Sequence, residues 1–318
     1  VRIEEVDART APDEVLARFH ELEAASHDEL MPGEPLRSVE DVIAFYRHQP
    51  GTHTSCHWVA PGGGASLFVH GPTAAFVQLL VDPEQRRQGI GTALFQRVLE
   101  RSRELGVEAL RGHHTTVAGA AFAARLGAVE QQRVARSLLD LRTAELPEPQ
   151  VPDGFDVVTW LGRVPDEHLE AYVRARAAMD DAPDPEGMDY PTSTAETVRA
   201  SEESLAQRER EMRLTVAIGT GGDIGSFTEL RISRGSTLGF TDDTGTVATH
   251  RGKGLARAVK LESLRRLRAD HPEVEVVTTA NAEENAAMLR INESVGFRPV
   301  RVMTTAALDI HPPGRAVP

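Results

Sequence analysis

The sequence predicts an α/β (α+β) chain of two tandem domains, each built on strand–loop–helix–strand units. Three observations predict it. An extended run, then Arg-x-x-Gly-x-(Gly or Ala), then a helical stretch occurs at Arg86 to Gly91 and again at Arg251 to Ala256; Gly89 and Gly254 are equivalent, at an offset of 254 − 89 = 165. A second landmark, Gly127 and Gly296, recurs at 296 − 127 = 169, and two landmarks at nearly one offset imply an internal duplication. Between the copies, Pro147, Pro149 and Pro152 crowd a stretch that neither a helix interior nor a central strand accepts. The boundary placed there gives domains 1–146 and 152–318, each of ordinary size.

In the first half, residues 76–81 are a nearly all-apolar run, the mark of a strand buried in a sheet. A helix follows from Ile90, with Leu94, Val98 and Leu105 on one face and Gly106 as its stop; residues 107–110 are the next strand. In the second half, residues 213–218, 224–232 and 237–247 read as a meander, with 219–223 as a hairpin loop. Leu255, Val259, Leu264 and Leu267 mark a helix that His271-Pro272 ends, and residues 274–279 are the strand after it. Each half therefore predicts a mixed sheet with helices on both faces.

Composition narrows the function. The 318 residues are 40% hydrophobic and 26% charged, which argues against a disordered chain. No run approaches the ~18 apolar residues of a membrane helix. A net charge of −13 disfavours nucleic acid and anionic membranes as partners. The single cysteine, Cys56, leaves no internal disulfide, and no basic-then-apolar leader follows Val1, so a cytoplasmic location is expected. The only two lysines, Lys253 and Lys260, lie beside the second glycine-rich loop.

A strand entering a helix through a glycine-rich turn aims several backbone N–H groups at one point, where the helix dipole also favours an anion. Arg86 and Arg87, or Arg251 and Lys253, add full charges, and the glycines allow close approach. Walker A fails because Gly252-Lys253 is followed by Gly254, and the dinucleotide fingerprint fails for want of its third glycine. The residues match a third phosphate loop. Both halves resemble the GNAT N-acetyltransferase family, whose signature is (Arg/Gln)-x-x-Gly-x-(Gly/Ala).

The resemblance implies two tandem GNAT domains, each with a mixed, mostly antiparallel central sheet flanked by helices. It implies acetyl-CoA or another acyl-CoA as cofactor and an amine of a small molecule as acceptor. On it, Leu79, Leu80, Val81, Arg86, Arg87, Gln88, Gly89, Ile90, Gly91 and Thr92 would hold coenzyme in the first half. Thr246, Val247, Arg251, Gly252, Lys253, Gly254, Leu255 and Ala256 would do so in the second. Residues 279–297 resemble the family's later strand, helix and Gly-Phe turn, which implies a coenzyme contact for Asn285; the alternative is that Asn281 caps this helix and Asn285 lies exposed. The first half has no such Asn.

The family's reaction is direct attack of a neutral amine on an acyl thioester, so a base must take the amine proton. The family's base position falls at Phe240. Alternation puts residues 240, 242 and 244 on one face, which favours Asp242 and turns Asp243 away unless a bulge shifts the phase. Glu229, on the neighbouring strand, is the other candidate. The oxyanion would be met by backbone N–H groups of the strand before the loop. Where the family often has a Tyr to protonate the thiolate, this chain has Asn292, and Ala123 in the first half; an amide is not a useful acid.

The acidic run Asp180, Asp181, Asp184 and Glu186 suits either a cationic acceptor or a solvated loop. His113, His114 and His250 have no second cluster at ligand spacing, so no metal is expected, and Cys56 is given no role. The fuller pattern of the second half predicts catalysis there and a structural coenzyme in the first. The alternative is an acyl-CoA-binding protein without turnover.

Overall fold

The computed structural model describes residues 1–49, 54–69, 74–179 and 193–310, whose contacts form two compact units. The first takes in Val1–Val134 and, from Val302, the last strand of the chain. Its elements are β1 (Glu4–Val6), α1 (Asp13–Leu30), α2 (Val39–Arg47), β2 (Thr54–Ala60), β3 (Gly63–Val69), β4 (Ala74–Val81), α3 (Ile90–Glu104), β5 (Ala109–His114), α4 (Val117–Leu126) and the start of β6 (Val129–Asp140). Strands β1 to β4 form an antiparallel meander, and β4 runs parallel to β5. The side chains alternate between two apolar layers, as a pleat requires. Trp58, Leu67 and Ala75 meet Leu94, Phe95 and Val98 of α3. Val59 and Phe68 meet Leu16 and Phe19 of α1 with Val42 and Tyr46 of α2.

The second unit begins at Ala135 and ends at Arg301. It holds the rest of β6, then β7 (Phe155–Leu161), α5 (Asp166–Arg176), α6 (Ala195–Gln207), β8 (Arg210–Gly219), β9 (Ile224–Ser233), β10 (Leu238–Thr246), α7 (Leu255–Asp270), β11 (Val276–Ala282), α8 (Ala286–Ser294) and the start of β12 (Arg298–Asp309). Its strand order is β6-β11-β10-β9-β8-β7. Strands β7 to β10 are antiparallel, and β10 is parallel to β11. Leu261, Leu264 and Leu267 of α7 cover Leu230 and Val277 on one face. Tyr172 and Ala175 of α5, with Val198 and Leu205 of α6, cover Leu214, Val216 and Phe227 on the other.

The spatial division does not follow the prolines. Leu139, Leu141 and Leu146 pack with α7, whose Arg265 and Arg268 donate to the Leu146 and Ala144 carbonyls at 3.3 and 2.8 Å. In return β12 leaves the second half and pairs its Thr304 and Asp309 with His114 and Ala109 of β5. Each sheet is completed by a strand from the other half of the chain. Prolines stop regular structure, but strand pairing and apolar burial decide which sheet a strand joins.

Candidate functional site

Each unit builds one loop the same way. Strand β4 passes through the 3-10 turn Pro83–Gln85 into α3, and β10 passes through Ala248–His250 into α7. Arg87 and Gly89 have left-handed φ angles of 66° and 85°; their equivalents Gly252 and Gly254 have 76° and 83°. A Cβ on Gly89 or Gly254 would meet nothing within 4 Å, so backbone conformation, not crowding within the protein, asks for these glycines. The helical ladders begin with Ala93 N–H donating to Gly89 at 3.0 Å and Ala258 N–H donating to Gly254 at 3.1 Å. The first-turn N–H groups of Ile90, Gly91 and Thr92, and of Leu255, Ala256 and Arg257, precede those ladders and point out of the helix end. Buried Ile90 and Leu255 anchor the two starts, while Gln88, Gly89, Lys253 and Gly254 are exposed. Such an end fits a diphosphate.

The signature arginines do more than add charge. Arg86 Nε donates to the Val81 carbonyl at 3.4 Å and Arg251 Nε to the Thr246 carbonyl at 3.2 Å, tying each loop to its strand end. Arg86 also makes a two-pronged pair with Glu29 of α1 at 3.1 and 2.6 Å. That hydrogen bond, against partial burial, holds Glu29 below the usual carboxylate range. Thr92 Oγ1 accepts from Arg125 at 2.9 Å, and Lys253 Nζ lies 3.3 Å from His250 Nδ1.

Beside each loop the parallel strands part. Pairing of β4 with β5 ends at Phe76 and Arg111, and that of β10 with β11 ends at Phe240 and Thr278. Beyond those pairs, Leu79, Leu80 and Val81 still pair with Ala65, Gly64 and Gly63 of β3. Likewise Thr246 pairs with Ser226 of β9, and Val247 N–H donates to Gly225 at 3.0 Å. Their other edge faces the parting. A backbone edge leading to an anion site suits an extended ligand with amide groups and a terminal diphosphate.

The units differ in the strand before the loop. The β3–β4 register is unbroken from Gly63 and Val81 to Val69 and Ala75. In β9–β10, Thr241 pairs with Leu230 and Thr244 with Thr228, so Asp242 and Asp243 both stand opposite Glu229. This bulge overrides the strict alternation that would send Asp243 to the far face. Arg231 Nη2 lies 2.6 Å from Asp242 Oδ2 and donates to Glu229 Oε2 at 3.0 Å. Arg176 donates to Glu229 Oε1 and to Asp243 Oδ2, each at 2.6 Å, and the Tyr172 hydroxyl also donates to Glu229 Oε1.

Three carboxylates thus share two guanidiniums. Burial would raise Glu229, which is 4% exposed, but Arg231 and Arg176 outweigh it and hold the carboxyl below its usual range. Asp243 goes the other way: burial and the adjacent Asp242 push it up to about 6 despite Arg176. The corresponding strands of the first unit carry neutral groups. Tyr46 donates to Gln78 Oε1 at 3.2 Å, and His57 Nδ1 lies 3.0 Å from Ser66 Oγ. Sequence reasoning missed Tyr172, Arg176 and Arg231; Arg176 stands 53 residues from Glu229, and no local pattern marks it.

Asn285, not Asn281, caps α8: its side chain accepts from Met288 N–H at 3.1 Å. Asn281 instead accepts from Asn292 Nδ2 at 2.6 Å. Asn292 is 1% exposed, and its Oδ1 has no hydrogen-bond partner among the described residues. The His250 ring packs edge-on to Phe155 at 5.1 Å, and His113 Nδ1 lies 3.0 Å from Thr305 Oγ1. The acidic run at Asp180, Asp181, Asp184 and Glu186 lies outside the described residues.

The acetyltransferase (GNAT) family matches residues 17–128, within the half whose sequence keeps less of the family pattern. Mycothiol acetyltransferase of Mycobacterium ulcerans (strain Agy99) is 30% identical over 135 residues, 41% of this chain and 41% of that protein. Mycothiol acetyltransferase of Nocardia farcinica (strain IFM 10152) is 38% identical over 113 residues, 34% of this chain and 35% of that protein. The chain thus spans less than half the length of these curated relatives. A tandem GNAT protein from the clavulanic acid biosynthesis pathway is similar in structure, with a TM-score of 0.84 and 26% identity over 98% of this chain and 100% of that one. A GCN5-related N-acetyltransferase from Sphaerobacter thermophilus shares the fold, with a TM-score of 0.73 at 18% identity over 98% of this chain and 96% of that one. Residues 17–128 of the chain thus match the GNAT acetyltransferase family, and along its length the chain has the tandem GNAT fold.

Proposed function

We propose that the chain is an acyl-CoA-dependent N-acyltransferase that moves an acetyl or related acyl group onto an amine of a small molecule. Its second unit does the chemistry, and coenzyme held by the first unit serves structure. The β10 bulge carries this reading. It sets Asp242 and Asp243 beside parted strands and an anion-binding helix start, whereas the first unit has the parting and the helix start without the carboxylates. The relatives named for mycothiol and the neighbour from the clavulanic acid pathway support a small-molecule acceptor, with antibiotic biosynthesis as one setting. The net charge of −13 favours neither nucleic acid nor an anionic membrane, and no helix among the described residues is long and apolar enough to cross one. A cytoplasmic location fits this reading.

GNAT acetyltransferases use acetyl-CoA, which supplies the acyl thioester. First-turn N–H groups of α7 would hold its diphosphate, with Lys253 adding charge. The open edge of β10 would guide the acyl end, and N–H groups there would stabilise the carbonyl oxygen as it gains charge. Asn285 caps α8 with its oxygen and offers its Nδ2 to the coenzyme. The bulge carboxylates Asp242 and Asp243 take the amine proton. Glu229, clamped by Tyr172, Arg176 and Arg231, fixes the two arginines that orient that pair. Buried Asn292, bonded to Asn281, favours a second reading: coenzyme binding without turnover. Thiol release from acetyl-CoA, measured with and without a panel of amines, separates the two. Amine-dependent release supports transfer; tight binding with no release for any amine supports the second reading.

A further inference from the structure

Lys260 is a buried titratable group that the mechanism above leaves unused. It sits on α7, is 2% exposed, and donates from Nζ to Thr244 Oγ1 at 3.3 Å. Thr244 Oγ1 lies 2.8 Å from Thr228 Oγ1, its register partner, so this hydroxyl chain occupies the α7 face while the neighbouring Glu229 faces α5. The Phe297 ring centroid is 5.6 Å from Nζ. Thr244 lies on the stretch of β10 past its last pair with β11, where the strands part.

Most charged groups on the packed elements are engaged elsewhere or exposed, and Arg257, three residues before Lys260 on α7, is half-buried. Arg213 of β8 pairs with Glu211 and Asp270, and Glu262 of α7 pairs with Arg266. Glu229, Arg231, Asp242 and Asp243 belong to the chain on the other face. Asp156 of β7 and Arg290 and Glu293 of α8 are exposed. Burial alone pushes the Lys260 amine down to about 7. An interior lysine without a carboxylate is costly, and neutralising it so readily makes it a proton carrier.

We propose that Lys260, acting through the Thr244 hydroxyl, supplies the proton taken up by the leaving thiolate of the coenzyme. The inference rests on the acyltransferase reading. In the step, the Lys260 ammonium gives a proton to Thr244 Oγ1, and Thr244 passes its own hydroxyl proton to sulfur. The acyl carbon–sulfur bond breaks with its electron pair going to sulfur. Lys260 becomes a neutral amine and regains a proton from solvent, matching the amine proton that the bulge carboxylates release to solvent. Lys260 is thus a positioning residue and proton reservoir, filling a role that Asn292 lacks the acidity for.

The test titrates the thiol of bound coenzyme A by thiolate absorbance in wild type, Lys260→Met and Thr244→Val. Methionine suits a buried position of this length, and any signal from the first unit is common to all three proteins. Because the Lys260 amine and the thiol titrate as a pair, part of the thiolate should appear at lower pH in wild type than in Lys260→Met, with Thr244→Val shifted toward the methionine variant. Amine-dependent turnover should fall about 10²-fold in Lys260→Met. Identical thiol titrations in wild type and Lys260→Met, with coenzyme bound to both, overturn the inference while leaving the acyltransferase reading standing. Wild type that binds coenzyme A but releases no thiol with any amine removes both.

Discussion

Asp243 differs from Glu229 in what it can do with a proton. Glu229 is clamped by three donors and held ionised, whereas Asp243 is pushed up to about 6 and sits where the proposed transfer calls for a base. Asp242→Asn and Asp243→Asn should each lower turnover about 10²-fold or more, with acyl-CoA affinity unchanged. Higher pH should restore part of the loss, because more acceptor amine is already neutral. Glu229→Gln should instead weaken the fold by about 3 kcal/mol, since it leaves two guanidiniums short of a buried partner. Urea unfolding and steady-state rates on the three variants check this; a large rate loss in a fully stable Glu229→Gln alone would move the base to β9. Lys260 adds a pH dependence whose sign is fixed. Its amine titrates near 7 when folded, against an ordinary value of 10.5. Between those values the unfolded chain holds a proton that the folded chain lacks. Stability therefore rises with pH across that window, by at most about 1.4 kcal/mol per unit from this group. Lys260→Met should remove that rise, which urea midpoints at about pH 7.5 and 9.5 would show; equal pH slopes in the two proteins would contradict it.

At the scale of elements, the two loops repeat each other closely enough to predict one from the other. Each needs two left-handed residues, and the first loop fills one of them with Arg87 where the second has Gly252. Arg87→Gly should raise stability by about 1 kcal/mol, and Gly252→Ala should lower it by about as much, read as opposite shifts in Tm. The same loops show what a sequence reveals. Gly89 and Gly254 lie between an apolar run and a periodic helix, so β4, α3, β10 and α7 are legible from local pattern alone. The bulge is not, because nothing in Thr241-Asp242-Asp243-Thr244 marks an extra residue; only the register against β9 does. Alternation therefore places Asp242 and leaves Asp243 conditional. Asn285 carries a similar lesson: either Asn281 or Asn285 is a fit cap by residue type, and only the geometry of α8 chooses.

For the whole molecule, the duplication is legible and the exchange of strands is not. The prolines at 147, 149 and 152 predict a join, but β6 and β12 take their places through pairing between residues far apart in sequence. Fragments 1–146 and 152–318 made separately would each lack the strand that completes its sheet. The bared edges of β5 and β11 should make both fragments aggregate in gel filtration, where the intact chain stays dispersed; two monodisperse, folded fragments would contradict the exchange. The central claim is that the second unit transfers the acyl group and the first only holds coenzyme. It is tested most directly by amine-dependent thiol release in Gly89→Glu and Gly254→Glu, each of which puts a carboxylate at one anion-binding helix start in a protein verified as folded. The account predicts that Gly254→Glu abolishes release while still being stabilised by acetyl-CoA, and that Gly89→Glu keeps releasing thiol. Release lost in folded Gly89→Glu and kept in Gly254→Glu would contradict it.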